Sequence, residues 1–179
     1  GLRLWWIQDH EIFKPMPTVA RTPADLKPPL KFESVELAVG DSAVHGYWVP
    51  RDNAAAVVLF LHGQDTTLGK NLQHVETLHA LGFHVLLIDY RGFGATFGQF
   101  TPSEASVYED VERVWRDLIQ TRGFTPTQIV IYGHSLGGAI AIELATRYPS
   151  AAGLIVENSF TSVKDMVHWK MPFTRLYPL

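Results

Sequence analysis

Apolar positions along the 179 residues fall into two kinds of pattern. From Lys31, the segments KFESVELAV and AVHGYWV read as paired strands, with Gly40 and Asp41 turning the chain between them. The runs AAVVLFL, FHVLLID, QIVIYG and AGLIVEN come next. Their Val, Ile and Leu do not alternate with polar residues, so each predicts a strand covered on both faces, as inside a parallel sheet. Helical stripes separate them. Leu72, Val75, Leu78 and Leu81 recur before Gly82; Val107, Val111, Val114, Trp115, Leu118 and Ile119 before Gly123; Leu136, Ala139, Ile140, Leu144 and Tyr148 before Pro149. The second stripe carries a start signal, with Thr101 as cap, Pro102 in the first turn and Glu104 closing a capping box. Right-handed crossovers between such units give a three-layer α/β/α sandwich, its mostly parallel sheet led in by antiparallel strands.

Residues 1–30 lack this periodicity and carry Pro15, Pro17, Pro23, Pro28 and Pro29, which predicts an irregular arm laid over the body. Residues 31–179 read as one domain. The Trp5-Trp6 pair is expected to pack in core or loop, with an interface anchor as the alternative. Hydrophobic residues at 46% and charged residues at 18% suit a folded chain and not a disordered one. A net charge of -3 without a basic block argues against a nucleic-acid partner. The longest apolar runs fall well short of the roughly 20 residues a membrane helix needs, so no span is expected in this chain. It opens without Met, so an upstream signal or anchor stays compatible with it and the compartment stays open. No cysteine occurs, which removes disulfides, thiolate nucleophiles and Cys-ligated zinc. The histidines His62, His74, His79 and His84 show no metal-ligand spacing, and neither a metal nor another cofactor is expected.

Chemistry concentrates in Gly133-His134-Ser135-Leu136-Gly137, a G-x-S-x-G pattern placed where a buried strand turns into a helix. Such a turn strains the serine backbone, and only glycine fits two residues before and after it. The hydroxyl then stands clear of the sheet beside the positive end of the following helix, which suits a nucleophile and the oxyanion that forms next to it. Acyl transfer needs two N–H groups for that oxyanion. Leu136 supplies one, and Gln64 in LFLHGQDTTLG is the candidate for the other; Gly63 permits close approach and His62 is placed to brace the loop. The third stretch, IDYRGFGATFGQF, reads as a loop at the sheet's carboxyl edge, in which Asp89 or Arg91 is expected to form a structural ion pair.

With HG after the third strand, DYRGFG after the fourth, GHSLGG at the elbow and ENSFTSVKDM after the next strand, the chain from about Phe32 to Leu179 resembles the α/β-hydrolase superfamily, and within it the Bem46-like group of serine hydrolases. The resemblance implies an esterase-like enzyme in which Ser135 is acylated by an ester or thioester, less readily a peptide, of small-molecule or lipid origin. A fold retained for binding a ligand or partner without catalysis is the alternative. One departure is HGQDTTLGKN, where the group usually shows His-Gly-Asn and a short glycine loop. A second concerns the triad. The superfamily's chain order is nucleophile, acid, histidine, yet after Ser135 stand only His168 and the acids Glu143, Glu157 and Asp165. The resemblance therefore implies that acid and histidine lie downstream of Leu179, in a further C-terminal segment of about 80 to 120 residues for a domain of ordinary size. Phe93, Phe97, Phe100, Phe160, Met166 and Trp169 are candidates to line an acyl pocket, with ordinary packing as the competing reading.

Overall fold

A computed structural model describes residues 12–159. Its six strands are β1 (Glu33–Val39), β2 (Ser42–Val49), β3 (Val57–Leu61), β4 (His84–Asp89), β5 (Ile129–His134) and β6 (Gly153–Glu157), ordered β1-β2-β4-β3-β5-β6 in one sheet. The β1–β2 and β2–β4 pairs are antiparallel, and β4–β3, β3–β5 and β5–β6 are parallel. Three helices return the chain between parallel strands: α1 (Leu72–Ala80), α2 (Glu104–Gln120) and α3 (Leu136–Arg147).

The unbroken apolar runs are explained by the two cores they divide. Val57, Leu59 and Leu61 of β3 pack with Leu86 and Ile88, Ile129 and Ile131, and the stripes of α2 and α3. Val58 and Phe60 pack with Val85 and Leu87, and with Val75 and Leu78 of α1, on the opposite side. Because strand side chains alternate faces, a strand between two helical layers must be apolar at every position. The result is the α/β/α sandwich.

Three details differ from the pattern read along the chain. Leu81 does not join the α1 stripe. It follows the last helical residue as cap and is 69% exposed, because Gly82 at φ +99° turns the chain away there. The AGLIVEN strand is not covered on both faces; Leu154, Ile155 and Val156 are each 42% exposed, since β6 is the edge strand among the described residues. The cap of α2 is Ser103 and not Thr101. Ser103 Oγ accepts from Ser106 N at 3.2 Å while Ser103 N donates to Ser106 Oγ at 2.8 Å, a reciprocal box that leaves Glu104 inside the helix, where its carboxylate accepts from Tyr108 Oη at 2.7 Å. Ser103→Ala should cost about 1 kcal/mol of stability, the usual worth of such a cap, read as a lower urea midpoint with an unchanged slope.

Before β1, the chain crosses the carboxyl edge of the sheet. Phe13 is fully buried, the Gly94 N–H donates to the Met16 carbonyl at 2.8 Å, and Gly69 lies so close to the Val19 carbonyl that a side chain there would strike it. This segment backs the loops that follow β3 and β4. Trp5 and Trp6 lie outside the described residues, as do Phe160, Asp165, Met166, His168 and Trp169.

Candidate active site

Strand β5 ends at His134, α3 begins at Leu136, and Ser135 alone makes the turn, at φ 56° and ψ -120°. For a residue with a Cβ this conformation is strained, and it persists only where the surroundings enforce it. They do so by close packing. A Cβ on Gly133 would strike the carbonyl of Gly137, and one on Gly137 would strike the carbonyl of Leu61, which pairs with Gly133 across β3 and β5. Hydrogen bonds hold the turn from both sides: Ser135 N donates to the Glu157 carbonyl at 2.9 Å, Gly138 N donates to the Ser135 carbonyl at 2.9 Å, and the Ser159 side-chain Oγ donates to that same carbonyl. The serine is half-buried at the carboxyl end of the sheet. Leu136, fully buried, is the first residue of α3, so its N–H has no acceptor within the helix and belongs to the positive end of the helix dipole.

The loop after β3 abuts this turn. A Cβ on Gly63 would sit 3.0 Å from Ser135 Cβ and 3.4 Å from its Oγ, and Gln64 follows directly. Beneath the loop lies His62, 0% exposed, with Nε2 2.8 Å from Asp89 Oδ1 and Nδ1 2.7 Å from the Gly63 carbonyl. Asp89 is 3% exposed, and its Oδ1 also accepts from Leu68 N at 3.0 Å. Tyr90 Oη donates to the His62 carbonyl at 2.8 Å, and burial pushes that phenol well above its ordinary pKa. Gly94 at φ +56° leaves the space that the other Asp89 oxygen fills. The structural ion pair expected at Asp89 or Arg91 is present at Arg91, while Asp89 hydrogen-bonds the His62 ring: Arg91 N donates to Asp110 Oδ2 at 2.9 Å, and the guanidinium meets the Asp110 and Glu109 carboxylates. Burial pushes the Asp110 carboxyl up to about 6, with the Arg91 N–H and guanidinium pulling it down.

Of the aromatic residues proposed for an acyl pocket, Phe93 is fully buried against His62 and Tyr90, and Phe100 lies under the Arg91 guanidinium at 4.6 Å. Both pack the loop. Phe97 is 44% exposed. Among the described residues no group of three or more His, Asp or Glu side chains is placed to hold a metal ion, and no helix is long and apolar enough to cross a membrane.

One cluster had no signal in the linear pattern. Glu157, at the end of β6, accepts from Tyr132 Oη at 2.6 Å and meets His74 Nε2 at 3.3 Å, with the His134 ring 5.5 Å from that of His74. These residues stand 83 and 25 positions from Glu157 and meet only because β5 and β6 pair beneath α1. The Tyr132 hydroxyl, with help from His134 and His74, holds the Glu157 carboxyl below its ordinary 4.5. A carboxyl depressed by folding stabilises the folded state above its unfolded pKa and stops doing so as pH falls through the folded value. Glu157→Gln should therefore flatten the fall of melting temperature below pH 4.5 relative to wild type; parallel curves would show that the cluster has no such linkage. The seat of Ser159 does have a sequence signal, the third glycine of GHSLGG, since a Cβ on Gly138 would strike Ser159 Oγ.

This arrangement of sheet, strained serine turn and abutting HG loop is that of an α/β-hydrolase. The family model described as serine aminopeptidase, S33, matches residues 52–177. Protein bem46 of Schizosaccharomyces pombe is 31% identical over 150 residues, covering 80% of this chain and 50% of that protein. Human alpha/beta hydrolase domain-containing protein 17B is 35% identical over 111 residues, 62% of this chain and 38% of its own length. An alpha-beta hydrolase from Vibrio vulnificus superposes with a TM-score of 0.70 at 22% identity, covering 93% of this chain and 61% of that one, and a Pyrococcus furiosus esterase with 0.69 at 20% identity, covering 94% and 64%. The chain belongs to the serine aminopeptidase S33 family of α/β-hydrolases, in its Bem46-like group. It spans about half the length of the curated relatives it matches, between 38% and 58% for the first three.

Proposed function

We propose that Ser135 is the nucleophile of a serine hydrolase that cleaves esters or thioesters through an acyl-enzyme. Its Oγ attacks the acyl carbonyl, the N–H groups of Leu136 and Gln64 receive the oxyanion, and water releases the acyl group in a second step. The observation that carries this reading is the strained backbone of Ser135, enforced by carbonyl contacts that exclude any residue but glycine at 133 and 137. Strain of that kind lowers stability and serves no packing purpose at a half-buried serine.

A serine hydroxyl needs a base, and the base an orienting acid. Glu143 lies within α3 and pairs with Arg147, while Glu157 is engaged by Tyr132 and His74, so neither is free for that task. The acid and histidine are proposed to come from residues downstream of Leu179, which agrees with the share of its relatives' length that the chain covers. A fluorophosphonate probe on the full-length protein tests the reading. An adduct mapped to Ser135 supports it; a folded sample that stays unlabelled points to a binding protein on the same fold. Turnover of a panel of acyl esters, thioesters and aminoacyl amides then separates the ester reading from the peptidase named by the family model.

A further inference from the structure

His62 has acceptors at both ring nitrogens. The Gly63 carbonyl, 2.7 Å from Nδ1, has no proton to give, so Nδ1 carries a hydrogen and donates it. Nε2 faces Asp89 Oδ1 at 2.8 Å, and that oxygen already accepts the Leu68 N–H at 3.0 Å. One proton lies between ring and carboxyl. In water an imidazole holds it more strongly than an aspartate by about two and a half pH units. The Asp89 oxygen thus has two N–H groups directed at it, an arrangement that suits a carboxylate acceptor. Among the described residues the side chains facing the ring are Asp89, Tyr90 and Phe93, and Tyr90 directs its hydroxyl to the His62 backbone.

We infer that His62 is a buried imidazolium, paired with the Asp89 carboxylate, which acts as a positioning residue by fixing the orientation of the Gly63–Gln64 peptide beside Ser135. That peptide is trans, so a carbonyl drawn onto the ring turns the Gln64 N–H away from it. Gly63 packs against Ser135, and we take the Gln64 N–H, turned away from the ring, to face the forming oxyanion. A doubly protonated ring does this while donating to the Asp89 carboxylate. A neutral ring with its hydrogen on Nε2 would set a lone pair against the Gly63 oxygen and release the peptide to flip. The inference rests on the acyl-transfer reading of Ser135 for its consequence, and on the ring's surroundings for the charge.

Nitrogen-15 NMR of the histidine rings in the wild-type protein near pH 7 reads the charge directly. Two protonated nitrogens on His62, assigned by the loss of their signals in His62→Gln, are expected; a ring with a single protonated nitrogen overturns the inference. Asp89→Asn reads the consequence. An asparagine oxygen can accept from both Nε2 and Leu68 N but carries no charge to hold the ring protonated, and a neutral ring that keeps its hydrogen on Nε2 loses the bond to Gly63. The maximal rate of fluorophosphonate labelling of the folded variant should fall about 10- to 100-fold, less than the loss of a whole oxyanion donor, with little change in the concentration for half-maximal rate. An unchanged rate overturns the positioning role, and a lower melting temperature alone would mark Asp89 as merely structural. Where Asp89→Asn does not fold, the wild-type NMR result stands as the deciding measurement. Wild-type protein that takes no label at all would fail the function reading while the ring spectra still decide the charge.

Discussion

Ser135→Ala should abolish fluorophosphonate labelling and lower turnover of an activated acyl ester by at least about 10⁴-fold, the scale seen when a serine nucleophile is removed, without loss of fold. Alanine keeps the Cβ and hence the backbone strain at φ 56°, so its melting temperature should stay near that of wild type. Ser135→Gly removes both the hydroxyl and the strain. Glycine adopts such backbone angles readily, and relief of this kind is worth about 1 kcal/mol or somewhat more. The glycine variant should be as inactive as the alanine variant and measurably more stable. Stability gained where activity is lost is the signature of a residue held in place for chemistry. A Ser135→Ala protein that hydrolyses the ester at the wild-type rate would refute the assignment, and an unstabilised Ser135→Gly would refute the claim that the turn stores strain.

The second large effect concerns Gly137, where local and tertiary expectations have opposite signs. Within a helix, replacing glycine by alanine ordinarily stabilises by about 1 kcal/mol. Gly137 is the second residue of α3, yet a Cβ there would overlap the Leu61 carbonyl oxygen, with the Leu61 carbonyl carbon 2.6 Å and the His62 carbonyl oxygen 2.7 Å away. Those atoms are backbone at the end of the fully buried β3 and cannot yield as a side-chain tip would. Gly137→Ala should lose more than about 4 kcal/mol, in the range reserved for the few severe mechanisms, and yield little folded protein. Urea unfolding followed by circular dichroism checks it, and a midpoint equal to wild type would show that α3 can withdraw from β3.

The glycines at 133 and 137 also show how much of the site was legible along the chain. Gly133 is demanded by the turn itself, where a Cβ would strike the Gly137 carbonyl, and Gly137 by the end of the neighbouring β3; the elbow could be read because the spacing around Ser135 carries both demands in five consecutive residues. The sandwich was legible from the chain as well: a strand between two helical layers must be apolar where both faces are covered, as all of β3 and Val85, Leu86, Leu87 and Ile88 of β4 are. Legibility failed where two signals competed over a few residues, as at the α2 start, where Thr101 and Ser103 both suit a cap and the reciprocal Ser103–Ser106 bonds decide between them.

By itself, then, the amino-acid order determined which segments become strands and helices, that they stack in three layers, and that a serine sits at the strained turn, because side-chain periodicity and backbone sterics act within a few residues. Only the tertiary structure decided that His62 meets Asp89, 27 residues away, that Arg91 meets Asp110, and that Tyr132 and His74 converge on Glu157. Polar groups find partners according to the strand order and the register of the sheet. Those follow from how distant apolar faces are buried together, which no short window of sequence contains.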